Sequence, residues 1–192
     1  MKKIFILCAA AIMAGSLLTG CSLVSKANGI IVYGDEAKIT EVLEHEKEEF
    51  IDKNRFEIKI VEDQGERMMV LSEETAQAVA DKELLRKVTN GRKSEAMLSV
   101  PKLSRGEAVV YAKTEQENPK IAGIDLQTTY SGNSIIGDGR AFVDKFLIVD
   151  DSDWPEIEGD AKSMAIMEYK KDPSTKFTDF DVDDTQLVKI VE

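Results

Sequence analysis

Only two cysteines occur in the 192 residues, Cys8 and Cys21, and none lies between Ser22 and Glu192. No disulfide can staple that long remainder, so its fold must be held by apolar burial, hydrogen bonds and ion pairs alone. The material for a core is present: 43% of residues are hydrophobic and 32% charged, the balance of an ordinary globular protein. With 12 Gly and 4 Pro, collagen-like, mucin-like and wholly disordered readings fail. The missing thiols exclude Cys nucleophiles, Cys-ligated zinc and CxxC redox chemistry from the body. Asp and Glu outnumber Lys and Arg by 36 to 25, for a net charge of −11. A generic binder of phosphate backbones needs the opposite sign, so no nucleic-acid partner is expected.

The first twenty residues stand apart. Lys2 and Lys3 precede an uncharged, mostly apolar run from Ile4 to Leu18. That run is about 15 residues, short of the roughly 20 a spanning helix needs, so residues 1–20 read as an export signal. It closes with Leu18-Thr19-Gly20-Cys21, which resembles the lipobox of bacterial prolipoproteins. The resemblance implies diacylglyceryl transfer to the Cys21 thiol, cleavage before Cys21, palmitate-type acylation and a body on the extracytoplasmic face of the cell membrane. Cys8 then leaves with the signal, and the bilayer becomes a partner through acylated Cys21. The alternative is an ordinary secretory signal with a chance Cys at its cleavage site. Two acyl chains hold a protein firmly, whereas one holds it marginally.

Residues 21–29 form the tether. The eight residues Ser22–Gly29 span roughly 28 Å at about 3.5 Å each when fully extended. The body therefore sits close to the headgroups, and an acidic body is expected to turn its less acidic face inward.

From residue 30 to 192 the patterning predicts an α+β body with a mixed sheet and two main helices. Gly29–Tyr33 reads as a buried strand, Ala37 to about Asn54 as a helix, and Arg55–Glu62 as an alternating strand. A turn at Gln64-Gly65-Glu66 leads to a strand over Arg67–Leu71. Ser72 then caps a helix reaching roughly Val88, and Glu107–Lys113 is a further strand. The order over 30–113 is that of a ferredoxin-like βαββαβ unit. Residues 121–192 read as strand-rich, with strands over Ile121–Tyr130, Phe142–Val149, Ala161–Tyr169 and Gln186–Val191, so 30–113 and 121–192 are candidate subdomains. In style the body is similar to uncharacterised lipoproteins of Gram-positive bacteria. Its strand-then-acidic-cap runs, such as Leu147-Ile148-Val149-Asp150-Asp151, look like extracellular domains of ABC-type permeases. Neither likeness transfers a functional residue.

Motifs for chemistry are incomplete. His45, the single histidine, projects from a polar helix face, which excludes His-pair zinc motifs. Ser99-Val100-Pro101-Lys102 fits SxxK, but Pro101 blocks the helix that would aim the Lys, and no KTG follows. The glycines of Gly132–Gly137 have P-loop spacing, with Asp138 where a Lys belongs. Asp179, Asp181 and Asp183 copy three ligand positions of an EF-hand and are weak Ca²⁺ candidates. The loop then fails, with Asp184 at its sixth position and Ile190 at its twelfth. No cofactor and no catalytic set is expected. Trp154 and Ile157, beside the acids Asp150–Asp160, are the candidates for an exposed anchor with a charged rim.

Three functions are compatible with these residues. The first is a non-enzymatic interaction module, accessory to a membrane transporter or sensor, with a membrane protein as partner. The second is a small solute- or cation-binding lipoprotein. The third is a cell-wall hydrolase using Asp and Glu. The anchor is testable on its own: Cys21→Ser should release the body into the medium or leave an uncleaved precursor in a fractionation experiment. Normal processing and membrane retention of that variant would refute the lipobox reading.

Overall fold

The computed structural model describes residues 27–89, 93–115, 119, 121 and 123–191. Cys21, the signal and most of the tether lie outside the described residues. In chain order the elements begin with β1 (Gly29–Gly34), α1 (Glu36–His45), β2 (Phe50–Asp63), β3 (Glu66–Ser72) and α2 (Glu73–Asp81). There follow β4 (Leu85–Val88), β5 (Ser94–Ala96), β6 (Glu107–Ala112), β7 (Gln127–Tyr130) and β8 (Ser134–Ile136). The chain ends with β9 (Lys145–Val149), a 3₁₀ turn at Trp154–Glu156, β10 (Asp160–Tyr169) and β11 (Asp184–Val188). The class is α+β.

Eight strands form one mixed sheet in the order β11-β1-β10-β2-β3-β9-β6-β7, and β5-β4-β8 form a second, small sheet. The ferredoxin-like pairing is not the one adopted. β1 and β2 are parallel with one strand between them, as in that unit, but the strand is β10 rather than β3. β3 and β6 flank β9 and run antiparallel to each other. Strands from 30–113 and 121–192 are thus interleaved in one sheet, and the two segments do not fold as separate subdomains. β10 wins the central place because Met164, Ala165, Ile166 and Met167 are apolar on both faces, as a strand covered on both sides requires.

Alternation sorts the core into two layers. On one face Ile31, Tyr33, Ile58, Met69, Leu71, Val109 and Ile148 pack beneath α2 and the small sheet. On the other, Ile30, Val32, Ala165 and Met167 lie under Ile39, Val42 and Leu43 of α1. Farther along that face Met68, Val70, Val110 and Leu147 meet Ile157 and Trp154. Ring stacking reinforces the first layer, with Tyr33 on Phe142 at 4.5 Å and Tyr111 on Phe146 at 4.9 Å between centroids.

Local chemistry explains most boundaries. Gln64 and Gly65 both have positive φ, 55° and 83°, which matches the twist of a two-residue hairpin loop between β2 and β3. The Ser72 Oγ accepts from the Thr75 N–H at 3.1 Å and starts α2, as its sequence predicts. Both helices are shorter than the periodicity predicts. α1 ends at His45, after which Phe50 enters β2, and α2 ends at Asp81, after which Leu85 enters β4. Phe50 and Leu85 are buried in either case, so helical spacing and a strand start give the same apolar pattern. Predicted strands at 121–130 and 142–149 shorten to Gln127–Tyr130 and Lys145–Val149.

One ion pair sits inside the sheet. Lys145, 1% exposed, donates to Asp63 at 2.8 Å and contacts Glu66 at 3.0 Å. The two acids flank the hairpin loop, so the lysine ties β9 to the tip of β2 and β3. Removing only the cation strands a buried carboxylate, a loss of about 3–5 kcal/mol. Lys145→Met should therefore lower the urea midpoint sharply, and Lys145→Met combined with Asp63→Leu should recover a large part of that loss. Unfolding curves for the two variants check this.

Candidate functional site

The sheet face that carries α1 is not covered along its whole length. Between the start of α1 and the 3₁₀ turn lies an open groove of about 150 Å³. Its floor comes from facing residues of β2 and β10, where Glu57 pairs with Ser163 and Lys59 with Ala161. Glu36 of α1 stands on one side, Trp154 on the other, and Lys162 lies at the end.

Trp154 reaches this place because Asp150–Asp153 turn the chain after β9. Asp150 accepts from the backbone N–H of Ser152, and the Asp153 N–H bonds the Asp150 carbonyl. Pro155 fits the first turn of the short helix, where its missing N–H costs nothing. The indole is half-buried, and the Lys59 ammonium lies 4.8 Å from its ring centroid. The same ammonium donates to the Trp154 and Ile157 carbonyls at 2.8 and 2.7 Å. Burial lowers the affinity of Lys59 for its proton, and Glu57 opposes that effect. Ile157 is not the exposed anchor its neighbours suggest. It is 3% exposed and packs into the sheet with Val70 and Leu147, because the 3₁₀ turn points it inward.

The acids that hold Lys162 and the turn before Trp154 are mostly engaged. Lys162 pairs with Asp35 at 2.6 Å and Asp183 at 3.0 Å, with Asp160 at 3.7 Å. The hydrogen bond from Lys162 holds the Asp35 carboxyl below its usual range, while the bonds to Asp35 and Asp183 push the Lys162 ammonium above its own. Asp35 thus spends its side chain on β10 rather than on capping α1. Asp153 is fully buried; it accepts from the Gly106 N–H at 2.6 Å and lies 3.5 Å from Arg105. Asp151 accepts from the Glu74 N–H at the start of α2.

Asp179, Asp181 and Asp183 do not converge. Asp181 pairs with Lys38 of α1 at 3.1 Å, Asp183 turns to Lys162, and the Asp179 N–H bonds the Lys176 carbonyl in an exposed turn. Among the described residues no group of three or more His, Cys, Asp or Glu side chains is placed to hold a metal ion. His45 is exposed at the end of α1, 3.3 Å from Glu46. Lys102 of the SxxK segment is taken by Glu73 at 2.9 Å. Sequence reasoning missed Lys59, Lys162 and Lys145, each of which lies in a strand. A lysine within an apolar strand run was the available signal, as in Lys145-Phe146-Leu147-Ile148-Val149.

Comparison with known proteins adds family and fold. No curated protein matches the chain. Among solved structures, a "Putative Lipoprotein from Bacillus anthracis" is similar, with 26% identity and a TM-score of 0.79. The alignment covers 86% of this chain and 100% of that one. The fold is therefore shared nearly throughout, as expected if the unusual strand order is a property of the group. The model of an uncharacterised lipoprotein family matches residues 27–191, and the chain belongs to that family.

Proposed function

We propose that the protein is an extracytoplasmic lipoprotein, anchored by acylated Cys21, that acts by contact with a partner at the membrane surface and not by catalysis. The groove beneath Trp154 carries this reading. It joins a half-buried aromatic, a cation stacked on it and an exposed carboxylate, Glu57, on a rigid strand pair. Aromatic anchors inside charged rims are the usual seats of binding energy between proteins. The ionisable groups nearest it hold one another in place. Lys59 is spent on two carbonyls and Lys162 on two carboxylates within hydrogen-bond range, so neither is poised to transfer a proton.

A partner held in the same membrane, such as a transporter or sensor subunit, fits a body on so short a tether. The second reading, a solute-binding lipoprotein, would use the same groove, but its volume of about 150 Å³ falls below the roughly 300–1,000 Å³ typical of small-molecule sites. Its open, charged walls favour a protein surface over a small ligand.

The test is affinity purification of the lipidated protein from detergent-solubilised membranes. A specific membrane protein should co-purify. Trp154→Ala and the charge reversal Glu57→Lys should each reduce recovery at least tenfold, a loss of about 1.4 kcal/mol or more in binding. Glu57→Lys should melt like the parent, which separates lost contact from lost folding. Turnover of a cell-wall or peptide substrate, abolished by one Asp or Glu substitution, would overturn the reading, and recovery unchanged in both variants would remove the groove from it.

A further inference from the structure

We infer that the end of the body bearing Asn28, Ile51 and Val191 rests on the phospholipid surface, with β1 running away from the membrane. The inference rests on the anchoring of Cys21 and adds an orientation to it.

The order of the chain begins earlier than the tether reading allows. Asn28 is clamped from both sides. Its backbone carbonyl accepts from the Tyr169 N–H at 2.8 Å, and its N–H donates to the Val188 carbonyl at 3.2 Å. Its side chain accepts from the Ile190 N–H at 2.8 Å and donates to Glu168 at 3.0 Å. Between Cys21 and this clamp the chain has only Ser22–Ala27, six residues that can span at most roughly 21 Å at about 3.5 Å per residue. The opposite end of β1, at Gly34, lies roughly 20 Å farther along the strand.

What surrounds the clamp suits an interface with lipid. Three large hydrophobic side chains are exposed among the described residues, and two flank Asn28. Val191 follows Ile190 on the β11 side. Ile51 is 59% exposed and lies two strands away on the other side, about 10 Å by strand spacing. It is the bulged residue of β2: the register pairs Asp52 with Glu168 and then Phe50 with Tyr169, which leaves Ile51 unpaired. The third, Leu98, lies in the loop over α2.

Charge divides the same way. Exposed Lys47, Lys170, Lys171 and Lys189 ring the clamp. Acids occur there too, Glu168 in the clamp, Glu48 and Glu49 in the turn after α1 and Asp52 on β2, of which Lys82 pairs Asp52 at 2.7 Å. The far end gathers Asp35, Asp160, Asp181, Asp183 and Asp184 around Lys162 and Lys38. The first end is thus the less acidic of the two, and anionic headgroups repel the second end more strongly.

Spin labels on the processed, lipidated protein test this in phosphatidylcholine–phosphatidylglycerol vesicles. Acylation blocks the natural thiol, so Ile51→Cys, Val191→Cys, Asp181→Cys and Glu62→Cys each give one labelled site. Labels at 51 and 191 should be several-fold less accessible to a water-soluble relaxation agent than labels at 181 and 62, as expected for side chains at the headgroup boundary. Equal accessibility at all four sites, or protection at 181 or 62, would overturn the orientation while leaving the anchor intact. Mass spectrometry of the same preparation reads the anchor itself. An unmodified Cys21 would refute the anchoring reading and the orientation with it.

Discussion

The insertion of β10 between β1 and β2 is the constraint on which the rest of the structure depends. Its register joins Gly34 to Ser163 and Asp160 to Ile60, so residues near the two ends of the body share the centre of the sheet. Until that strand is placed, Ile30–Tyr33 and Phe56–Ile60 have no common neighbour, and neither layer of core can close. The contacts are distant along the chain, which places the entropic cost of loop closure early and makes slow folding the expected behaviour. With no thiol after Cys21, this burial on both faces takes the place of a covalent staple.

An acidic chain of this kind uses its carboxylates as fasteners. Asp144 accepts from the Arg67 N–H, Glu73 from Leu103, Asp151 from Glu74 and Asp153 from Gly106. Each ties a loop or a helix start to a distant element by a charge-assisted bond to the backbone. Lysines play the complementary part: Lys145 inside the sheet, Lys162 at the end of β1, Lys59 under the 3₁₀ turn. The acids that look like metal ligands in the sequence are thereby dispersed among separate partners.

In the proposed arrangement the body has two distinct ends. The clamp at Asn28 fixes where the tether leaves, and the groove of Trp154, Lys59 and Glu57 opens on the sheet face, with Glu36 and Lys162 at the far end of β1. A body standing on its Asn28 end presents that groove away from the headgroups, at a height where the extracytoplasmic part of a membrane protein can meet it. Under the proposed anchoring at Cys21, the anchor would limit distance and the strand direction would limit orientation.

Local physics was legible in the sequence by itself. Apolar runs found β1, β3, β6 and β10 nearly to their ends, and Ser72 and the Gln64-Gly65 loop announced a cap and a hairpin, because these depend on neighbours a few residues away. The α+β class was likewise readable, as was the body's likeness to uncharacterised lipoproteins, to whose family the match over residues 27–191 assigns the chain. Tertiary structure alone decided the strand order, since the apolar pattern of a strand says how much of it is buried and not beside which strand. It decided the ends of α1 and α2, where Phe50 and Leu85 satisfy helix and strand periodicity alike. It also turned Ile157 inward and brought Lys59 beneath Trp154, nearly a hundred residues apart in the chain, because a side chain's partner across a sheet is set by register and not by sequence spacing.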